Sequence, residues 1–150
     1  MGIISRLFRS PPKRPPLPPL PHPRLGVLTW DADTTCWKGI FPGPPHTVEI
    51  YIGLGKRDTY PDVAACNLVA ETLNSLPSRD AAARPLLLGR FARLRRGSAA
   101  PEFKLNAVQT FRNYVPKNIV ELVYETVPDD LAIWRVCFTG NEATSVGRDD

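Results

Sequence analysis

The chain has 150 residues, a formal net charge of +4, 17 prolines and three cysteines. This length suits one domain, and the sequence has neither a long apolar run nor the paired cysteines of a disulfide scaffold. The short apolar run near Met1 also does not match a secretory signal. We therefore expect one domain with reduced cysteines, located in the cytoplasm.

The positive charge is concentrated at the start of the chain. Residues 1–24 hold five basic residues and no acidic residue, so residues 25–150 sum to −1. A basic segment of this kind attracts anionic surfaces over a distance. The pattern therefore predicts at most a transient membrane contact through the N-terminal segment and a nearly neutral domain.

Residues 11–23, PPKRPPLPPLPHP, contain eight prolines. Proline fixes φ and lacks an amide donor, so this segment should adopt polyproline II and stay outside any sheet or helix. We expect residues 1–24 to be a disordered stalk before a domain at 25–150. Lys13, Pro16 and Pro19 also match a pattern that Src-homology or WW-type grooves bind, although a spacer is the simpler interpretation.

The domain begins with strand patterns. LGVLTWD and CWKGIF predict a hairpin with residues 32–35 as its loop, which would place Trp30 opposite Trp37. HTVEIYIGL predicts a third strand, because its aliphatic residues alternate with polar ones. The domain should therefore open with three antiparallel strands.

Helical spacing follows. Residues 61–76 predict a helix with Thr59 as N-cap, because apolar residues recur there at intervals of three and four. A second helix should begin near Ser78 or Asp80 and end near Gly97, and Pro85 should kink it or delay its start. Its inward-facing residues are predicted to be Leu88, Phe91 and Leu94. The segment KLNAVQTFRNY suggests a short third helix.

NIVELVYET and LAIWRVCFT predict a closing hairpin around VPDD, and the polar tail GNEATSVGRDD should lie over the surface. These elements define an α+β fold. We expect one antiparallel sheet of about five strands, in the order βββ-αα(α)-ββ, covered on one face by two or three helices.

The stretch TWDADTTCW, residues 29–37, has the first two aspartates of a calcium loop, Asp31 and Asp33. Counting from Asp31, however, the sixth position is Cys36 instead of glycine, and the twelfth is Pro42 instead of glutamate. Aspartate and threonine are ordinary turn residues. The stretch therefore indicates a structural turn, and we expect no metal and no cofactor.

An enzyme is the alternative function. A small hydrolase or transferase would use Cys36 activated by His46, or the aspartate pairs at 129–130 and 149–150. Neither pair lies in a segment that predicts a buried site, and three scattered cysteines lack zinc-ligand spacing. The sequence therefore favours a protein without catalytic residues.

The second predicted helix carries the one basic patch of the domain. No acidic residue occurs between 84 and 96, and arginine binds carboxylates and phosphates through a planar fork of donors. A solvated face and a partner-binding face both fit this pattern. We predict binding residues here and in the aromatic pair: Arg84, Arg90, Arg93, Arg95, Arg96, Trp30 and Trp37.

The domain resembles a group of small uncharacterised bacterial domains, some of which are similar to immunity proteins. The resemblance rests on five segments, in chain order: GVLTWD, CWKGIF, VEIYIGL, PKNIVELVYE and DDLAIWRV. The resemblance implies a toxin-neutralising, protein-binding role and no catalytic residues. We therefore predict a non-enzymatic module that binds another protein through its exposed sheet face or its arginine helix.

No nucleic-acid-binding pattern accompanies the arginines. A peripheral adaptor acting through the proline-rich stalk is a further alternative.

Overall fold

A computed structural model describes residues 15–43, 47–55, 58–128 and 130–149. Eight strands form one sheet, in which each strand lies beside its neighbours in sequence. The elements in chain order are β1 (Leu20–His22), β2 (Gly26–Asp31), β3 (Cys36–Phe41), β4 (Val48–Gly53), α1 (Val63–Asn74), α2 (Leu76–Leu94), β5 (Glu102–Phe111), β6 (Ile119–Val127), β7 (Ile133–Thr139) and β8 (Glu142–Asp149). A single 3₁₀ turn, Val115–Lys117, lies between β5 and β6.

The sheet is mixed, because β4 and β5 are parallel while the other neighbouring pairs are antiparallel. Parallel neighbours need a crossover connection, and α1 and α2 supply it. The prediction of an α+β fold with about five antiparallel strands is therefore wrong. Strands dominate the structure, and only two helices of the expected two or three are present in the described residues.

Both helices cover the same face of the sheet and enclose the core. The largest fully buried side chains of that face are Trp37, Tyr124, Trp134 and Phe138. Phe91 of α2 packs against the Trp134 ring with centroids 6.2 Å apart. Neither α1 nor α2 is both long and apolar enough to cross a membrane.

The predicted third helix is wrong, because most of its residues belong to β5 and the last three form a turn. A register shift between Leu105 and Ala107 marks a β-bulge in this strand. Leu105 lies opposite Tyr124 and Val108 lies opposite Leu122, so both face the core although they are three residues apart. The bulge thereby gives a strand the apolar spacing of a helix.

Two further strands occupy segments that were expected to be irregular. Leu20–His22 of the predicted stalk pairs with β2, so the expectation that the whole proline-rich segment stays outside the sheet is wrong. Pro21 is tolerated there because β1 lies at the edge of the sheet. The tail forms β8 instead of a surface loop, because its backbone pairs with β7. Residues 1–14 lie outside the described residues.

The helix predictions are partly confirmed. α1 lies within the predicted range, but Asp62 and not Thr59 is its N-cap, because the Asp62 carboxylate accepts the Ala64 amide at 2.8 Å. α2 begins earlier than expected, at Leu76, and continues through Pro85. Leu88 and Leu94 are exposed, contrary to the prediction, whereas Phe91 is buried as expected and Leu87 takes the predicted place of Leu88.

The first hairpin is confirmed. Trp30 lies opposite Trp37 in the β2–β3 pair, and their ring centroids are 5.8 Å apart. In β4, Val48, Ile50 and Ile52 are buried while Glu49 is exposed, as the alternation predicted.

Candidate functional site

Two arginines mark opposite sides of α2. Arg79 is 6% exposed and donates to the Gly140 carbonyl at 2.7 Å and to Asn141 Oδ1 at 2.9 Å, in the turn between β7 and β8. Arg84 donates to the Phe103 carbonyl of β5 at 3.1 Å. One side of α2 therefore faces β8 and the other side faces β5.

Leu86, Arg90 and Arg93 lie on the β8 side of the helix. They follow Arg79 by 7, 11 and 14 residues, and a helix advances about 100° per residue, so all three fall on the side that Arg79 marks. All three are exposed. Within the described residues, Arg90 forms no ion pair and Arg93 donates only to the Gly89 carbonyl of its own helix. We call these three residues the α2 stripe.

Arg84, one of the predicted binding residues, has a structural role. Its guanidinium donates to Asp80 Oδ2 through Nε at 3.0 Å and Nη2 at 2.9 Å, in addition to the Phe103 carbonyl. Asp80 Oδ1 accepts the Tyr124 hydroxyl at 3.0 Å. Burial and the Asp80 charge raise the pKa of Tyr124 well above its usual value. This network attaches α2 to the sheet and leaves Arg84 little capacity for a partner.

Arg95 and Arg96 follow the end of α2 and are also exposed. Arg95 lines a shallow hollow of about 330 Å³ with Pro101 and Val127, at the end of α2. The predicted basic patch is therefore divided. Arg90 and Arg93 share one side of the helix, Arg84 lies on the side that faces β5, and Arg95 and Arg96 follow the end of the helix.

The α2 stripe lies beside an edge of the sheet. In the described part of the chain, β8 is the last strand and pairs only with β7. α2 runs along this strand, because Arg79 binds the Gly140 carbonyl before β8 begins, and Phe91 packs on Trp134, which pairs with Arg148 near the strand's end. The outer backbone groups of β8 thus border the stripe and have no neighbouring strand among the described residues.

Trp30 and Trp37 form an aromatic cluster with Tyr60. The Trp37 and Tyr60 rings stack with centroids 6.0 Å apart, and the Trp37 indole donates to the Thr59 carbonyl at 3.2 Å. Trp37 is fully buried and Trp30 is half-buried. The cluster therefore holds the β2–β3 hairpin against the segment before α1, and only Tyr60 presents much of its ring to solvent.

The turn after Trp30 is held by Asp31. Its carboxylate accepts the Asp33 amide at 3.0 Å and the Thr34 hydroxyl at 2.8 Å, and Lys38 Nζ lies 2.5 Å away. Lys38 and Thr34 lower the pKa of Asp31 to about 2. Asp31 is thus a fully ionised turn residue at neutral pH. Among the described residues, no group of three or more His, Cys, Asp or Glu side chains is placed to hold a metal ion.

The residues proposed for catalysis are dispersed. Cys36 is 6% exposed, and burial raises the pKa of its thiol, while His46 lies outside the described residues. Burial alone would raise the pKa of Asp130, but hydrogen bonds from Thr126 and Ala132 act in the opposite direction. The net effect is a lowered pKa. Asp149 pairs with Arg135, and Asp129 and Asp150 are not described. In the described structure these groups form no common catalytic centre.

The face of the sheet opposite the helices is a second exposed surface. A shallow groove of about 440 Å³ lies across β2, β3 and β4, and Ile40 on its wall is 65% exposed. Three charged groups of this face have partners within the sheet. Lys38 binds Asp31, the Tyr51 hydroxyl donates to Glu49 and the Gln109 amide donates to Glu121.

The buried residues of α2 other than Phe91 were not predicted, although their spacing in the sequence is helical. The buried residues of α2 recur at intervals of four and are Arg79, Ala83, Leu87 and Phe91, so Arg79 belongs to the core-facing side of the helix.

Comparison with protein-family models, with curated proteins and with solved structures returns no significant match to this chain.

Proposed function

We propose that the chain is a non-enzymatic protein-binding module whose partner adds an extended acidic segment to the edge of β8. The observation that carries the proposal is the position of Arg90 and Arg93 on the side of α2 that borders this edge. An unpaired strand edge binds an extended chain through backbone hydrogen bonds. The arginines would then select the partner by charge.

The backbone part of the site is eight residues long. The side chains of β8 are mostly polar. Ala143, Val146 and Arg148 are half-buried, and the other residues of the strand are exposed. A surface of this kind gains affinity mainly from main-chain hydrogen bonds and little from apolar area. Specificity must therefore come from neighbouring groups, which are the residues of the α2 stripe.

The charge of α2 indicates the chemistry of the partner. Residues 81–101 contain five arginines and no acidic residue. In an added strand, every second side chain would face the helix layer. Carboxylates at those positions would meet Arg90 and Arg93, whose guanidinium groups bind carboxylates through paired hydrogen bonds. Leu86 would contact the aliphatic parts of the same side chains.

The opposite face of the sheet is the competing surface for a protein partner. Its Lys38, Glu49 and Glu121 already bind groups within the sheet, so a partner would have to replace those contacts. Arg90 carries no such cost within the described residues. This difference favours the β8 edge.

Fluorescence anisotropy tests the proposal directly. The probe is a labelled eight-residue peptide of alternating glutamate and threonine, which presents all its carboxylates on one face when extended. We expect saturable binding to the full chain at 150 mM salt. A double variant, Arg90→Glu with Arg93→Glu, should weaken binding by at least about tenfold, because it replaces attraction with repulsion.

The matched control is Arg95→Glu with Arg96→Glu, which changes the net charge equally but outside the stripe. These arginines follow the helix and do not belong to the stripe, and salt at 150 mM screens charges beyond about 8 Å, so this control should weaken binding less than the stripe variant does. Equal losses in both double variants would indicate nonspecific attraction and would contradict the proposal. Absence of saturable binding to the unmodified chain would contradict it as well.

We also propose a cytoplasmic, immunity-like role for the complex, in which the module neutralises its partner by covering the bound segment. The free state of Cys36, Cys66 and Cys137 supports a reducing compartment. Strand addition supports neutralisation, because it would hold a segment of the partner in a fixed extended form.

A further inference from the structure

Residues 15–21, Pro-Pro-Leu-Pro-Pro-Leu-Pro, are anchored to the domain in a specific orientation. Leu17 and Leu20 are half-buried and pack against the hydrophobic core. All five prolines of the segment are exposed. The end of the segment is fixed by β1, in which Leu20 pairs with Leu28 and Pro21 pairs with Val27. We call residues 15–21 the proline ribbon.

The spacing of the two leucines identifies the conformation that presents the prolines. A β-strand would place residues three apart on opposite faces, whereas polyproline II has about three residues per turn and places them on the same face. Leu17 and Leu20 both contact the core, so the ribbon turns one of its three faces inward. The other two faces hold the proline pairs 15 and 18, and 16 and 19.

We propose that the proline ribbon is a docking ligand for a polyproline-binding domain with an aromatic-lined groove, of the Src-homology or WW type. Such grooves bind preformed polyproline II segments through successive prolines on adjacent faces. The ribbon exposes both required faces and turns its non-proline residues inward. Lys13 stands three residues before Pro16 in the sequence, where a basic residue accompanies ligands of this kind.

Anchoring supplies the affinity that distinguishes this ribbon from a free proline-rich tail. A segment held in its bound conformation loses less conformational entropy on binding. The paired backbone of β1 and the packing of Leu17 and Leu20 hold the ribbon before any partner arrives. The surface is separate from the β8 edge, because β1 and β8 are opposite ends of the sheet order.

The test uses the full chain against an array of purified Src-homology and WW-type domains, with affinities measured by biolayer interferometry. We expect at least one domain to bind the chain saturably. Replacing Pro16 and Pro19 together by alanine should weaken that complex by about tenfold or more, because one docking face is lost. Pro23→Ala, an exposed proline beyond the ribbon, should leave the affinity unchanged.

A synthetic peptide of residues 13–23 tests the role of anchoring. We expect it to bind the same domain about threefold or more weakly than the full chain. Circular dichroism verifies that each variant is folded, and the Arg90→Glu with Arg93→Glu variant should bind the domain normally. The proposal is overturned if no domain in the array binds, if the Pro16 and Pro19 variant keeps full affinity, or if the free peptide binds more tightly than the chain.

Discussion

Arg79 should contribute more to stability than the exposed arginines of α2. The residue is 6% exposed, and its guanidinium donates to the Gly140 carbonyl, to Asn141 Oδ1 and to Ser75 Oγ and lies 5.3 Å from the centroid of the Phe138 ring. Burial lowers the pKa of this guanidinium, because desolvation opposes the charged form. The hydrogen bonds must offset that desolvation.

The cost of Arg79→Met follows from these contacts. Methionine keeps much of the side-chain volume but removes every donor. Two hydrogen bonds join α2 to the β7–β8 turn, and each should stabilise the fold by about 1.5 kcal/mol, the lower limit for a bond to a charged group. Their loss should therefore lower the free energy of unfolding by about 3 kcal/mol. For a chain of this length, that corresponds to a fall in Tm of roughly 6 to 12 °C.

Urea unfolding followed by circular dichroism measures the difference, with Arg93→Met as the matched control. Arg93 is exposed and bonds only within its helix in the described structure, so its replacement should change stability by no more than about 0.5 kcal/mol. Arg79→Met combined with Asn141→Ala should show a coupling of at least about 0.5 kcal/mol. A loss below about 1 kcal/mol for Arg79→Met would refute the anchoring role.

Three other substitutions and titrations test local features. Gly53→Val should destabilise the chain by about 1 to 3 kcal/mol in urea unfolding, because a Cβ there would overlap the Phe111 ring. The pKa of Asp31, about 2, should rise toward its usual value in Lys38→Ala, as measured by carboxyl NMR. The folded state lowers this pKa, so the ionised Asp31 carboxylate stabilises the fold at neutral pH. That stabilisation should be lost as pH falls from about 4 through about 2. Burial raises the pKa of the Cys66 thiol, so iodoacetamide at pH 7.5 should modify Cys66 only after unfolding, and rapid modification of the native chain would contradict this assignment.

Local patterns predicted the elements in which side-chain burial follows one simple period. The alternation of β4 and the spacing of α1 gave correct elements, and the turn residues between Trp30 and Trp37 gave the correct register. These features depend on neighbours within a few residues. The sequence therefore contains most of the information needed to recognise them.

Strand pairing that depends on distant residues was not predictable in the same way. The bulge in β5 placed Leu105 and Val108 on one face and imitated a helical interval. β8 has few buried side chains, so its pairing with β7 left almost no apolar pattern. The parallel pairing of β4 and β5 depends on the helical crossover, which no local pattern of either strand encodes.

The candidate site was predictable only in part. The absence of acidic residues around the arginines was visible in the sequence, but their division between two sides of α2 was not assigned. Three consecutive leucines, 86 to 88, obscured the register of the helix, because any of them could face inward. The structure selects Leu87, and this choice places Arg90 and Arg93 beside β8. The outer edge of β8, which has no neighbouring strand among the described residues, could be recognised only from the complete strand order.

The most direct test of the β8 site is amide hydrogen exchange of the full chain with and without the alternating glutamate and threonine peptide. Added-strand binding predicts that amides of Glu142–Asp149 gain protection, and that Arg90→Glu with Arg93→Glu abolishes the gain. Protection confined to the helix-free face around Lys38 and Tyr51, or no change in β8 at a saturating peptide concentration, would contradict the proposed site.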